Sequence, residues 1–169
     1  MGEAGILRED DRVELLEGEI VEMTPIGSRH AACVDRLNHF FARGVGPRAI
    51  VRVQNPVRLS ERSEPQPDLA LLRARPDFYA RAHPGPSDIL LLVEVADTSA
   101  EMDREVKMPL YARAGIPEVW IVDLEGECVE VYREPTPQGY QNVRRIRRGQ
   151  RVSPQAVPDL ELAVDDLFG

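Results

Sequence analysis

A short apolar run, ILLLVEV at residues 89–95, restricts the possible folds more than any other feature of the sequence. Six of its seven residues are aliphatic, and such a run is typical of a strand that is buried on both faces of a sheet. Glu94 lies inside this run. A lone carboxylate there costs several kcal/mol unless it is neutralised, paired or bound to a metal. The run therefore predicts a covered sheet and a functional reason for its acid.

The residues after this run predict a strand–helix–strand unit. Thr98 and Glu101 have the spacing of a capping box at the start of a helix over about 99–114. Pro109 inside that helix predicts a kink or a helix in two pieces. EVWIVDL at 118–124 predicts a second buried strand, which we expect to run parallel to the first through a right-handed crossover.

The rest of the chain predicts more strands and one further long helix. These elements are a hairpin at 12–24 that turns at Glu17 and Gly18, a helix at about 29–43 capped by Ser28, extended segments at 49–54, 56–60 and 68–73, CVEVYRE after a turn at Glu125 and Gly126, and an edge strand in VRRIRRGQRV. Together they predict a mixed β-sheet flanked by helices, in one α/β (α+β mixed) domain over residues 1–169.

The composition describes a globular chain and excludes several classes of protein. The 43% hydrophobic and 30% charged content is ordinary for a folded domain, and no run approaches the roughly 18–20 apolar residues of a membrane span. The N-terminus lacks a signal pattern, so we expect a cytoplasmic protein. Cys33 and Cys128 suggest neither a disulfide framework nor a zinc site. The net charge of −8 argues against a protein that holds DNA chiefly through a basic surface, but not against a nuclease with catalytic carboxylates.

Two carboxylates meet if the strand that begins at Asp68 pairs antiparallel, end to end, with the strand that contains Glu94. This register places Arg73 opposite Ile89 and Asp68 opposite Glu94, and directly opposed residues point to the same face. Like charges at that separation raise each other's pKa, and a bound cation would relieve the repulsion. Two carboxylates with open coordination positions suit Mg²⁺.

Lys107 is the single lysine among 21 basic residues, the other 20 being arginine. Lysine has a compact ammonium with an adjustable pKa, so its survival hints at a role that a guanidinium cannot fill. It follows Asp103 by one helical turn and precedes Tyr111 by one turn. From the helix after Glu94, its side chain could reach back toward the two carboxylates.

These residues resemble the PD-(D/E)XK nuclease superfamily, through Pro67-Asp68, Val93-Glu94-Val95, Asp103 and Lys107. The run VEVADTSAEMDREVKMPLYARAGIPEVWIVDL is more closely similar to the Uma-type family of predicted bacterial restriction endonucleases, formerly a domain of unknown function. The resemblance covers nearly the whole chain. It implies a restriction-endonuclease-like core and metal-dependent hydrolysis of phosphodiester bonds.

The resemblance also implies roles for particular residues. Asp68 and Glu94 match the metal-binding acids, with the Val95 carbonyl as a third ligand and Mg²⁺, or alternatively Mn²⁺, as the cofactor. The superfamily places its lysine two residues after the glutamate, where this chain has Ala96. Lys107 matches a lysine that this family has moved to the following helix.

Lys107 also has an expected chemical role, and the resemblance adds two further positions. Lys107 would orient the attacking water or stabilise the transition state. Glu14 and His30 match family positions that could supply an outer ligand or hold a water molecule.

Each candidate also has a structural interpretation. Asp68 could bond nearby backbone amides, and Glu94 could pair with an arginine. Lys107 could form a solvated pair with Asp103, which the helix dipole favours in a first turn. We expect Tyr111 to belong to the core.

The arginines of RRIRR at 144–148 have two interpretations. They could track phosphates, although protection of an edge strand from aggregation is the favoured interpretation.

The leading hypothesis is a Mg²⁺-dependent endonuclease that acts on nucleic acid, preferably DNA, and that could work as a homodimer. The alternative is a binding module that keeps the nuclease fold without turnover, recognising nucleic acid or protein. A hydrolase of small phosphate esters is a third hypothesis, and it would need a closed pocket.

Overall fold

The computed structural model describes residues 12–23 and 25–169. Its strands are β1 Val13–Leu16, β2 Glu19–Glu22, β3 Ala49–Val53, β4 Leu69–Arg73, β5 Ile89–Ala96, β6 Glu118–Asp123, β7 Cys128–Thr136, β8 Gly139–Arg147, β9 Arg151–Val152 and β10 Leu162–Ala163. Its helices are α1 Ser28–Val45, α2 Ala100–Met102, α3 Met108–Arg113 and α4 Asp165–Phe168, with a π-helical segment Asp103–Lys107 between α2 and α3. Short 3₁₀ turns cover Gly46–Arg48 and Pro86–Asp88. Residues 1–11 lie outside the described residues, and they include most of the N-terminus in which no signal pattern was found. Thr24, the last residue of the predicted hairpin, also lies outside them.

Six strands form one mixed sheet in the order β3-β4-β5-β6-β7-β8. The pair β5–β6 is parallel and the other neighbouring pairs are antiparallel. The segment from α2 to α3 connects the two parallel strands, as the apolar runs around it predict. The predicted mixed sheet of an α/β domain is confirmed.

Both faces of this sheet are covered, because side chains alternate along each strand. On β5, Leu91, Val93 and Val95 pack in the core that includes buried residues of α1. Leu92 and Ala96 point to the other face and pack in the core that includes buried residues of α3. Glu94 belongs by alternation to the α3 face, which is where its contacts lie.

The antiparallel register of β4 and β5 agrees with the prediction at one end and departs from it at the other. Leu69 lies opposite Val93, and one further step places Asp68 opposite Glu94, as expected. The register shifts between Leu71 and Leu72, so that Leu72 instead of Arg73 lies opposite Ile89. This irregularity adds one residue to β5 far from the acids, so the two carboxylates still meet at the other end of the strand pair.

The predicted helix at 99–114 is divided by an irregular turn. The N–H of Met108 bonds to the carbonyl of Asp103, five residues back, where an α-helix would use a spacing of four. Pro109 has no N–H to offer the preceding turn, so it tolerates this irregular geometry. The interruption near Pro109 was predicted, but its π-helical form was not.

Two predicted helix caps are wrong. The residue before α1 is Gly27, and Ser28 is already helical, so its side chain makes no capping bond. Ser99 precedes α2 and makes no side-chain capping bond either, so Thr98 does not form the expected capping box. At α1 the helix begins one residue too early for Ser28 to act as its cap. Ser99 does stand at the cap position of α2, but its φ of −101° and ψ of 5° depart from the extended backbone of a capping residue, and its hydroxyl lies 3.5 Å from Asp103 instead.

The hairpin at 12–24 was predicted correctly, whereas the strand predicted at 56–60 is wrong. β1 and β2 turn at Glu17 and Gly18, which adopt φ of 51° and 85°. Such a turn needs two left-handed residues. Segment 56–60 forms no strand. It contributes only an isolated bridge between Ser60 and Ser63.

Across the described residues, no helix is long and apolar enough to cross a membrane.

Candidate active site

A pocket of about 240 Å³ opens where β4 begins and β5 ends. The hairpin supplies Glu14, the first turn of α1 supplies His30, and the π-helical segment supplies Asp103 and Lys107. The remaining site residues predicted from the sequence, Asp68, Glu94 and Val95, also line it. The pocket therefore contains every candidate site residue, contributed by the hairpin, α1, the start of β4, the end of β5 and the π-helical segment.

Asp68 is nearly buried and is held from two directions. Its Oδ2 accepts a hydrogen bond of 2.8 Å from the backbone N–H of Val95, and the Nε2 of His30 lies 3.3 Å from the same oxygen. The hydrogen bond with Asp68 raises the pKa of His30, although burial opposes this shift. The imidazole Nδ1 is buried and has no hydrogen-bond partner within the described part of the chain. Asp68 therefore bonds a backbone amide, as its structural interpretation expects, and it also lines the pocket.

Glu94 is 3% exposed, and two side chains on the following helical segment contact it. The hydroxyl of Tyr111 donates to Oε2 at 2.6 Å, while Nζ of Lys107 lies 3.3 Å from Oε2 and 3.4 Å from Oε1. Burial raises the pKa of Glu94 well above its ordinary value. The ammonium of Lys107 opposes that shift, and the nearby acids add to it. Among the described residues, Tyr111 and Lys107 hold Glu94, and not the arginine partner considered from the sequence.

Lys107 is 4% exposed, so the interpretation as a solvated surface pair is wrong. Its ammonium donates to Oε1 of Glu14 at 2.8 Å, in addition to the longer contacts with Glu94. Glu14 in turn accepts the backbone N–H of Gln66 at 2.9 Å. Burial lowers the pKa of Lys107, but the surrounding carboxylates outweigh it and the net shift is upward. The lysine therefore stays charged at neutral pH.

Asp103 lines the pocket and Tyr111 contacts Glu94 behind it, and the sequence indicated neither contribution. Asp103 is 5% exposed, and burial raises its pKa to about 6. Tyr111 is a core residue as predicted, but its hydroxyl also reaches Glu94. The spacing of four between Asp103, Lys107 and Tyr111 was the available signal that all three share one helix face.

A second acidic group lies outside this pocket, on β6 and β7. Asp123, Cys128 and Glu130 place their ligand atoms within 4.8 Å of one another. Arg104 occupies this group, with Nε 2.8 Å from Glu130 and Nη2 3.2 Å from Asp123. Arg145 lies 3.2 Å from Glu130 as well, and burial raises the pKa of the Cys128 thiol. The group is therefore an ion-pair network with a protonated thiol, and its charge is already balanced without a metal.

Comparisons with known proteins agree with this fold. A crystal structure of a "putative nuclease belonging to DUF820" from Anabaena variabilis ATCC 29413 superposes with a TM-score of 0.76 and 17% identity, covering 98% of this chain and 94% of that one. At such identity the match shows the fold alone. No curated protein matches the sequence. The profile of the Uma2 family, described as "Putative restriction endonuclease", matches residues 4–165. The chain therefore belongs to the Uma2 family.

Proposed function

We propose that this protein is a metal-dependent endonuclease that hydrolyses phosphodiester bonds in DNA. The observation that carries the proposal is the convergence of Asp68, Glu94 and Lys107 in one pocket. Membership of the Uma2 family supports the same class of reaction. Because the family profile spans nearly the whole sequence, we also propose that residues 1–169 form a single nuclease domain.

The donor atoms of the pocket suit Mg²⁺, which prefers oxygen ligands and keeps several waters. Both contacts of Asp68 fall on Oδ2, so Oδ1 would bind the cation. Glu94 and the Val95 carbonyl would supply the other ligands. Glu14, Asp68 and Asp103 all raise the pKa of Glu94 through their charge, and a divalent cation would relieve that repulsion.

Each side chain then has a defined role. When bound, Mg²⁺ would polarise the scissile phosphate and lower the pKa of a coordinated water. Lys107, charged and held by Glu14 and Glu94, would donate a hydrogen bond to the attacking water or to a phosphate oxygen. Its raised pKa makes it a donor and a cation and not a general base. His30 would keep Asp68 in place from the side of α1.

The test is cleavage of supercoiled plasmid and of single-stranded DNA with Mg²⁺, with Mn²⁺ or with a chelator. We expect metal-dependent cleavage by the parent and a loss of at least about 100-fold in Glu94→Gln and in Lys107→Arg. Glu118→Gln is the matched control. It also removes the charge of a buried strand carboxylate, but one that contacts Trp120 and Arg133 outside the pocket.

Two results would contradict the proposal. Folded protein that binds Mg²⁺ but cuts neither DNA would support the non-catalytic binding module. Hydrolysis of a small phosphate ester without cleavage of DNA would support the third hypothesis.

A further inference from the structure

Positive charge is concentrated on one edge of this acidic protein. Residues 135–158 contain five arginines and no aspartate or glutamate, although the whole chain has a net charge of −8. Three of these arginines, Arg144, Arg145 and Arg147, are exposed on β8. β8 is an edge strand of the main sheet. Most of the surface should repel a polyanion, and this edge is where attraction is available.

The alternation of side chains along β8 divides these arginines between the two faces of the sheet. Arg145 lies opposite Glu130, whose carboxylate also binds Arg104 of the π-helical segment. Arg145 and Arg147 therefore share the face on which Lys107 reaches Glu94. Arg144 belongs to the opposite face, the one covered by α1.

The strand registers place Arg145 in the same row of the sheet as Glu94. Glu94 lies opposite Ile121, Ile121 opposite Glu130, and Glu130 opposite Arg145. Three strand spacings separate the ends of this row, which makes about 14–15 Å. One strand of a DNA duplex advances about 3.4 Å per nucleotide, so this distance corresponds to about four nucleotides.

The charges along this row leave a positive excess on the pocket face. Among the described residues, the ion pairs of Arg104 and Arg145 on this face use two acids, Asp123 and Glu130, and Arg147 adds a third positive charge beside them. Within residues 12–23 and 25–169, Arg147 forms no ion pair. Arg145 is half exposed, and its partner Glu130 also pairs with Arg104. Both guanidiniums can therefore contact phosphate oxygens without leaving a buried acid uncompensated.

We propose that Arg145 and Arg147 form a contact surface for the phosphate backbone of duplex DNA on the pocket side of β8. This inference rests on the proposed function for the position of the scissile bond. It identifies the substrate contact that lies outside the metal site. The favoured interpretation from the sequence, protection of an open sheet edge, treats the arginines on both faces alike. A DNA contact surface would involve only the arginines on the pocket face, and this difference can be measured.

The experiment measures binding of the full chain to a fluorescent duplex of about two helical turns. The protein carries Glu94→Gln to suppress turnover, and binding is followed by anisotropy with Mg²⁺ between about 50 and 200 mM salt. Arg147→Gln is compared with Arg144→Gln, which removes the same charge from the opposite face of the same strand. The double variant Arg145→Gln/Arg147→Gln extends the series, and thermal unfolding checks that each variant is folded.

We expect Arg147→Gln to weaken binding roughly five- to tenfold near 0.1 M salt and to reduce the slope of log affinity against log salt by about 0.9. The double variant should lose about twice that slope, whereas Arg144→Gln should lose less than half of it. Equal losses in Arg147→Gln and Arg144→Gln would overturn the proposal, because they would indicate a general effect of charge. Absence of duplex binding by the Glu94→Gln protein would also overturn it.

The outcomes separate this inference from the proposed function. Cleavage assays with the natural Glu94 run in parallel on the same arginine variants. Metal-dependent cleavage without any effect of Arg147→Gln on binding would contradict the proposed contact surface and support the proposed nuclease activity. Binding that depends on Arg147 in a protein that cuts no DNA would support the proposed contact surface and contradict the proposed nuclease activity.

Discussion

At the residue scale, the pocket depends on groups that do not themselves face the substrate. The hydroxyl of Tyr111 lies 2.6 Å from Oε2 of Glu94, and both side chains are buried. A donor at this distance fixes one carboxylate oxygen and so orients the other. Removal of a donor that orients a metal ligand typically lowers metal affinity by about 10–100-fold.

Tyr111→Phe should therefore weaken Mg²⁺ binding about 10-fold. The ring remains to fill the core, so the free energy of unfolding should fall by only about 1–2 kcal/mol. Titration calorimetry of the metal and urea unfolding measure the two effects. Tyr140→Phe is the control, because it removes a half-buried hydroxyl that donates to the carbonyl of Ile116 instead. Equal metal affinities of the two variants would show that Tyr111 is only a core residue.

At the scale of elements, the π-helical segment aligns the acidic and basic side chains of the pocket. Within this segment Asp103 and Lys107 both line the pocket, whereas Val106 between them is 44% exposed. Deletion of one residue would turn the preceding part of the helix by about 100° relative to the part that follows it. The relative positions of the two functional side chains would then be lost.

We expect deletion of Val106 to abolish metal-dependent cleavage while the sheet remains folded, as judged by circular dichroism. Val106→Ala keeps the residue count and should retain most of the activity. If the deletion variant cuts DNA as fast as Val106→Ala, the irregular turn has no part in arranging the site.

The same elements show what could be predicted from the sequence. The strands at 69–73, 89–96 and 118–123 follow from apolar runs, and their length sufficed to place Asp68 opposite Glu94. The register shift beyond Leu71 and the two missing caps could not be predicted, because they depend on where single backbone bonds close. The contact of Glu14 with Lys107 joins residues 93 positions apart, and no local pattern reports such a pair.

At the scale of the whole molecule, the pocket concentrates buried acids at one end of the sheet. Four buried acids, Glu14, Asp68, Glu94 and Asp103, surround one ammonium. Burial of charge without full compensation lowers the stability of the folded state. This arrangement of acids is therefore expected to be destabilising in the absence of a cation, and the effect should depend on pH.

Asp103 is the acid through which this dependence can be measured. Burial raises its pKa from 3.8 to about 6, so the folded state binds the proton more tightly than the unfolded state. The resulting stabilisation is fully present below the ordinary pKa and is lost as the pH rises through about 6. Asn at this position carries no charge at any pH. Between acidic pH and pH 8, the unfolding free energy of Asp103→Asn should therefore rise relative to the parent by about 2–3 kcal/mol.

Urea unfolding of both proteins at several pH values, with a chelator present, measures this difference. Asp35→Asn, which makes the same substitution at an exposed position of α1, is the control for the change of side chain itself. If Asp103→Asn follows the parent throughout, then Asp103 is ionised in the folded protein without penalty. The pocket would in that case be open to water, and the raised pKa values of its acids could not be used to infer a cation site.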